Sequence, residues 1–452
     1  MKLTAIMWGS YSPILKRAAE ATGVDLTVYP NRILDESPEK VDEALESMRA
    51  ADVVILYHTS DMFWERIDKE IKSIGKTVPV ISLGYDPAFF AYSSVSPRIV
   101  TTCQAYITNS GDKNYKNLLH FIEKELFGGT CDAAPPADVP WEGLYHPDAP
   151  VAFTEVDEYL AWYTPHMRQD GPFVGLIFSR VTWASSNTAI EDTLIQSLEA
   201  QGLNVIPAFT YAIRDASVGA KGMMYVIDQY FVKDGVPRID ALIKLVPFLL
   251  GTSRGDDYRG KTAIESGVEL LTRLNIPVFH PVISIYKSID QWRESTGLTL
   301  DTGWAVAMPE FEGVIEPVFI GASSSSPNGE KPREPVPDRC DKVAARVKQW
   351  IALAKKPVHE RRVSFIFNNN PCANAEANVG SASHLDSMES VARILHRMKE
   401  AGYDVSPPAD GKELIETIMG KKAISEFRWT TVQDIVKKGG ALWLMNMKTY
   451  VP

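Results

Sequence analysis

Short apolar runs alternate with amphipathic stretches along the first third of the chain. KLTAIMW (2–8) is an apolar run closed by Gly9 and Ser10, and SPILKRAAEATG (12–23) carries its apolar residues at helical spacing up to Gly23. DLTVYP reads as a second strand, SPEKVDEALESMRAA as an amphipathic helix opened by Ser37, and DVVILYH as a strand buried on both faces. FWERIDKEIKSIG is a helix, VPVISLG a strand, and DKNYKNLLHFIEKELFGG a long helix closed by two glycines. Strands that alternate with helices predict a mostly parallel, doubly wound sheet, whose ligands sit at the carboxyl ends of the strands. Those ends are Trp8-Gly9-Ser10, Tyr57-His58-Thr59-Ser60 and Gly84-Tyr85-Asp86-Pro87.

The periodicity then stops. Residues 131–150 are rich in Pro, Ala and Asp and read as a linker after a head domain spanning 1–130. A second α/β region over 151–357 follows. Its predicted strands include PFVGLIFSR (172–180), LNVIPAFTY and IPVFHPVIS, and GWAVAMPEFEGVIEPVFIG (303–321) is expected to supply more strand on either side of a turn at Pro309–Gly313. Its predicted helices are VDEYLAWYTPHM, SSNTAIEDTLIQSLEAQG (185–202) and DRCDKVAARVKQWIALAKK (338–356). Within it, 322–337 is low in complexity and reads as a flexible excursion or hairpin tip. A third α/β body domain opens with RRVSFIFNNNP and is expected to be cut short within 358–452, because ALWLMNMKTYVP ends the chain on an apolar run. The fold class is therefore α/β, with several doubly wound, flavodoxin-like parallel sheets in one chain.

Composition narrows the function classes. Across 452 residues the formal net charge is −10, which disfavours a nucleic-acid partner. The four cysteines show no CxxC spacing, which argues against a disulfide framework or a cysteine-rich zinc site and fits a cytoplasmic protein. The longest apolar runs are too short to span a bilayer, and the N-terminus lacks a cleavage pattern.

Two strand–loop–helix junctions carry the clearest local signals: IFSRVTWASSNTAIEDTLIQSLEAQGLNV (177–205) and IFNNNPCANAEANVGSASHLDSMESVARILHRMKEAGYDV (366–405). Free amides and the positive end of a helix favour an anionic ligand, which makes Ser185, Ser186, Asn187, Asn368, Asn369 and His384 candidate substrate contacts. Ordinary N-capping explains the same residues. Neither loop matches GxxxxGK[ST] or GxGxxG, so a nucleotide site has little support. His384 and Cys372 form a candidate pair for a soft divalent ion if the loop folds back; otherwise they are a polar loop residue and a small filler. Glu310 and Glu312 read either as a carboxylate pair on one side of a strand or as a solvated turn. Met223, Met224, Trp162, Tyr163 and Trp183 read either as the floor of a flat macrocycle or as core. His58 sits at a pocket lip or serves the structure, and there is no GxSxG element.

Several ordered blocks carry a resemblance. They are KNYKNLLHFIEKELFGG (113–129), PWEGLYHPDAPVAFTEVDEYLAWY (140–163), VGLIFSRVTWASSNTAIEDTLIQSLEAQGLNVIPAF (174–209), AMPEFEG (307–313), and the LDSMESVARIL helix with EAGYDV. Together they resemble the N-terminal portion of the cobaltochelatase large subunit, in the family shared with the porphyrin-binding large subunit of magnesium chelatase. The short head domain resembles the cobalt branch.

The resemblance implies ATP-dependent insertion of a divalent metal into a tetrapyrrole: Co2+ into the corrin hydrogenobyrinic acid a,c-diamide, in cobalamin biosynthesis. The alternatives are Mg2+ into protoporphyrin IX, or a tetrapyrrole-binding module without catalysis. ATP would be used by separate AAA+ partner subunits and not bound here. The histidine and glutamate of chelation would lie beyond Pro452. The loop after 361–367 departs from the family's short Tyr-Pro turn by its amide-rich sequence, which leaves the metal and macrocycle open. A generic two-lobed ligand receptor is a third class, weakened by the missing signal peptide.

Overall fold

The structure, a computed structural model, describes residues 1–59, 61–254, 261–298, 300–323, 333–367, 380, 382, 384–420, 433 and 437. The chain divides into two compact units, Met1–Ile351 and Ala352–Pro452.

The first unit opens with a parallel sheet in the order β2-β1-β3-β4, formed by β1 (Lys2–Met7), β2 (Asp25–Pro30), β3 (Val53–His58) and β4 (Val80–Gly84). Alternating side chains of these strands point to opposite faces, and both faces are covered. Leu3, Ala5, Val53 and Ile55 pack beneath α1 (Ser12–Thr22), α4 (Pro97–Asn109) and α5 (Asp112–Phe127). Ile6, Val54, Leu56 and Val80 pack beneath α2 (Pro38–Arg49) and α3 (Phe63–Ile74). The sheet is doubly wound, as the period change along the sequence predicts. Helix α1 stops at Gly23, whose left-handed φ of 72° lets its amide reach back to the Ala19 carbonyl.

A second, mainly parallel sheet has five strands in the order β9-β8-β6-β7-β5. These are β5 (Gly143–Leu144), β6 (Phe173–Ser179), β7 (Asn204–Thr210), β8 (Ala241–Lys244) and β9 (Val278–Phe279), with β5 antiparallel at one edge. Val174, Leu176 and Phe178 of β6 face α8 (Ala189–Ala200) and α10 (Pro337–Lys355). Ile206 and Ala208 of β7 and Leu242 of β8 face α6 (Val156–Tyr163) and α9 (Lys261–Leu274). Gly175 has no room for a side chain, since a Cβ there would lie 2.9 Å from Ile239 Cδ1. Between β6 and α8 the chain makes one short helix, α7 (Arg180–Ala184), that the pattern does not predict.

A three-stranded sheet, β10 (Val282–Ser284), β11 (Phe319–Ser323) and β12 (Arg333–Pro335), completes this unit. Ala322 pairs with Glu334 and Ser323 with Arg333 in antiparallel register, so the flanks of the low-complexity stretch form a hairpin.

Two expectations are corrected. GWAVAM, expected as strand, is helical: Thr302–Ala307 and Met308–Glu310 form helix, a turn follows at Phe311–Gly313 within the expected one, and strand begins only at Phe319. Trp304 and Met308 lie one helical turn apart and both join the small apolar cluster of Leu249 and Ala263, a contact that only the helical period satisfies. RRVSFIF is not paired into a ladder among the described residues of the second unit. That unit contains α11 (Ser387–Glu400) and α12 (Gly411–Gly420) packed on each other. Asp386 caps α11 by accepting from the Glu389 amide at 3.0 Å. Among the described residues no helix is long and apolar enough to cross a membrane.

Candidate functional site

The carboxyl ends of the first two sheets converge. Arg180 follows β6 and is 2 % exposed, yet each of its three guanidinium nitrogens donates to a carbonyl. It donates to the carbonyls of Asn109 (2.7 Å) and Thr108 (3.4 Å) at the end of α4, and to Pro140 (2.7 Å) and Val139 (3.1 Å) in the linker. It also lies 4.1 Å over the Trp141 ring. The negative end of α4 thus neutralises a buried cation that has no carboxylate in contact among the described residues. Burial pushes the Arg180 guanidinium down to about 10, opposed by the nearby Tyr11, Glu142 and Tyr211. Arg254 makes a second crossing. It donates to the Tyr85 carbonyl at the end of β4 (3.1 Å), to Asp215 (2.8 Å) and to Ser217 (2.9 Å). Burial alone would raise Asp215, but the bonds from Ser217 and Arg254 outweigh it and hold the carboxyl below its usual range.

The convergence is lined with aromatic rings. Trp8, after β1, stands edge-on to Tyr11 at 5.5 Å, and Tyr11 edge-on to Tyr57 at 5.3 Å. Tyr211, after β7, meets Trp141 at 5.2 Å. Burial, then the phenols of Tyr57, Tyr115 and Tyr211, holds Tyr11 well above the ordinary tyrosine value. Burial, then Tyr211, pushes Tyr57 up to about 12. These phenols stay neutral, and the Tyr115 hydroxyl is buried with no hydrogen-bond partner among the described residues. Trp8 is 44 % exposed and Tyr85 56 % exposed, so two rings stay open at the rim. Gly84 shapes that rim, since a Cβ there would come within 2.7 Å of Phe89, the ring that Tyr85 stacks against edge-on. The seam therefore offers open aromatic faces beside a partly exposed guanidinium, a surface suited to a flat conjugated ligand that carries carboxylates.

His58 lies behind this rim. Its ring stacks on Trp64 (4.0 Å), Phe89 (4.8 Å) and Tyr92 (5.1 Å). Burial pushes it down to about 4, and Nε2 has no partner among the described residues. His280, buried against the Lys244 carbonyl, is pushed down to about 3 by burial and by Lys244. The unfolded chain takes up protons below about pH 6.5 while the folded chain does not. Stability is therefore complete above that pH and falls by about 1.4 kcal/mol per pH unit for each histidine on acidification. Urea midpoints measured from pH 7 to pH 5 should fall less steeply in His58→Phe than in the parent; an unchanged slope would show that this ring already titrates freely.

The residues singled out by pattern are placed as follows. The Ser185 hydroxyl donates to Val181 O (2.7 Å), and the Ser185 carbonyl accepts from Arg17 (2.9 Å). Ser186 has a left-handed φ of 52°, and its amide is bonded to the Trp183 carbonyl. The Asn187 side chain accepts from the Arg333 amide (3.3 Å) and its amide donates to Thr182 O. The loop's amides are thus engaged within the chain, and Glu191 and Asp192 occupy the first turn of α8. His384 is an exposed turn residue with φ 58°, while Asn368, Asn369 and Cys372 lie outside the described residues. Met223 is wholly buried, Trp162 and Tyr163 pack around Tyr159, and Trp183 stacks on Phe209 at 3.9 Å, all as core.

Glu310 and Glu312 are not a carboxylate pair. Glu310 is exposed, whereas Glu312 is 3 % exposed and bonded to Lys244. Nothing local marks Arg180, Tyr211 and Arg254; only the position of the first two as the last residues of predicted strands could have drawn attention.

A family model described as CobN/Magnesium Chelatase matches residues 104–452. The chain is 40% identical over 458 residues to an uncharacterized protein of Methanocaldococcus jannaschii, covering 100% of this chain and 35% of that protein. It is 29% identical over 310 residues to the magnesium-chelatase H subunit of Chlorobaculum parvum, covering 68% of this chain and 23% of that protein. It is 25% identical over 346 residues to the aerobic cobaltochelatase subunit CobN of Pseudomonas aeruginosa, covering 74% and 25%. The catalytic subunit of cobaltochelatase from Mycobacterium tuberculosis shares the fold, with a TM-score of 0.60 at 18% identity over 93% of this chain and 33% of that one. The chain thus spans about a third or less of the length of these relatives.

Proposed function

The chain belongs to the CobN/magnesium chelatase family, and from that premise we propose that it forms the N-terminal, tetrapyrrole-binding part of the large subunit of an ATP-dependent metal chelatase. The observation that carries this reading is the seam itself. Trp8 and Tyr85 offer open ring faces to a macrocycle, and Arg254, paired with Asp215 yet 46 % exposed, presents the outer side of its guanidinium to a peripheral carboxylate. The substrate metal is Co2+ and the macrocycle a corrin, hydrogenobyrinic acid a,c-diamide, in the cytoplasm.

Insertion must strip water from the metal and remove two pyrrole protons. The seam groups with displaced protonation are held far from neutrality: Tyr57 at about 12 and His58 at about 4. Neither takes up a pyrrole proton effectively at neutral pH, so this part holds the ring while the base comes from elsewhere in the longer protein. Closure of the sheet ends on the ring would exclude water, driven by AAA+ partner subunits that hydrolyse ATP.

A second reading, Mg2+ into protoporphyrin IX, is favoured by the 29% identity to a magnesium-chelatase H subunit, against 25% to CobN. The test supplies the longer protein and its AAA+ partners with ATP and either Co2+ and the corrin or Mg2+ and protoporphyrin IX, following the macrocycle's absorption bands. Cobalt insertion by the longer protein and none by this chain alone is the expected result. Insertion by this chain alone would overturn the division of labour, and magnesium insertion only would select the second reading.

A further inference from the structure

Around the far end of α5 lie three metal-ligand side chains for which the proposed tetrapyrrole seam has no use. His120 and Glu123 are three residues apart and share one face of the helix. The helix ends at Gly128, with a left-handed φ of 69°. Gly129 then folds so closely over Glu123 that a Cβ would sit 2.7 Å from its Cγ, and the Gly129 amide bonds the Glu123 carbonyl at 3.1 Å. This reversal brings Cys131 back onto the helix. One donor atom each from His120, Glu123 and Cys131 lies within 4.8 Å of the other two.

None of the three side chains has a hydrogen bond or ion pair among the described residues, although His120 Nδ1 is enclosed and without a partner. An enclosed ring nitrogen left unpaired is costly unless something binds at the ring. His120 also lines an open groove of about 740 Å³, together with Asn117 and Asp132.

We propose that His120, Glu123 and Cys131 form a binding site for a borderline divalent cation such as Co2+ or Zn2+. One imidazole nitrogen, one thiolate and one carboxylate suit such ions, and disfavour Mg2+, which takes oxygen ligands. Three protein ligands leave a coordination position open to the groove, and Cys131 is exposed, so the ion is exchangeable. The site stands independently of the tetrapyrrole reading.

The test titrates the full chain with Co2+ under reducing conditions and follows the thiolate-to-cobalt charge-transfer band in the near ultraviolet. The parent should show a saturable band that Cys131→Ser abolishes and that His120→Asn and Glu123→Gln weaken about tenfold or more in affinity. Circular dichroism of each variant checks that the fold is kept. No band, a band unchanged in Cys131→Ser, or a band insensitive to His120→Asn would each overturn the proposal.

Discussion

Glu312→Gln should destabilise the first unit by about 3–5 kcal/mol, a large fraction of the roughly 5–15 kcal/mol that holds a typical domain together. The side chains of Glu312 and Lys244 are both 0% exposed, and their charged atoms lie 2.9 Å apart. Each has a second partner: Glu312 accepts from the Leu250 amide at 2.6 Å, and Lys244 donates to the Phe248 carbonyl at 2.8 Å. Burial pulls the Lys244 ammonium down from its ordinary value, and Glu312 holds the proton on it. Removing the negative charge leaves the ammonium buried without compensation, which costs more than the pair contributes. The double substitution Lys244→Met with Glu312→Leu removes both charges and should recover most of the loss. Equilibrium urea unfolding of the parent, Glu312→Gln and the double variant measures this; a Glu312→Gln midpoint equal to the parent's would mean the pair is hydrated. Gly267→Ala should act through the same pair, because its Cβ would fall 2.0 Å from Glu312 Oε1.

Arg180→Ala should uncouple the two sheets. Four carbonyls from α4 and the linker lose their donor together, and a cavity opens beside Trp141. Hydrogen bonds to a charged group contribute about 1.5–3 kcal/mol each, so a loss of about 3 kcal/mol or more is expected. Thermal unfolding should split into two transitions, and proteolytic cleavage within 131–150 should accelerate. Arg180→Lys keeps the charge but replaces a planar fork with one point donor, so it should fall between the two. One transition with an unchanged midpoint in Arg180→Ala would contradict the bridging role.

What can be read from the sequence follows the range of the interactions. Strands β1, β3 and β4 are apolar runs bounded by polar residues, so their positions along the chain and the residues at their carboxyl ends are legible. The seam's other half is not. Arg180 finds its Asn109 carbonyl 71 residues away, and Arg254 finds Tyr85 at a distance of 169 residues along the chain. Nothing in their neighbourhoods marks such partners. Glu312 resembles part of a turn because its counter-charge lies 68 residues upstream, on β8. The helical turn around Met308 reads as strand because valine and aromatic residues suit strands, whereas packing of Trp304 and Met308 against one cluster decides for helix. The anion-binding reading of the Ser185–Asn187 loop rests on the helix start after it; it takes no account of the carbonyls of α7, which engage the loop's amides. The second amide-rich loop lies largely outside the described residues.

The central claim is that the converging sheet ends bind a tetrapyrrole, and titration of the corrin or of protoporphyrin IX into this chain tests it most directly. The parent should give a saturable shift of the macrocycle's absorption band together with quenching of tryptophan fluorescence. Trp8→Ala with Tyr85→Ala should weaken binding about tenfold or more without altering the fold, since the two residues are 44 % and 56 % exposed. No band shift at high micromolar protein, or a shift that the double variant leaves unchanged, would contradict the account.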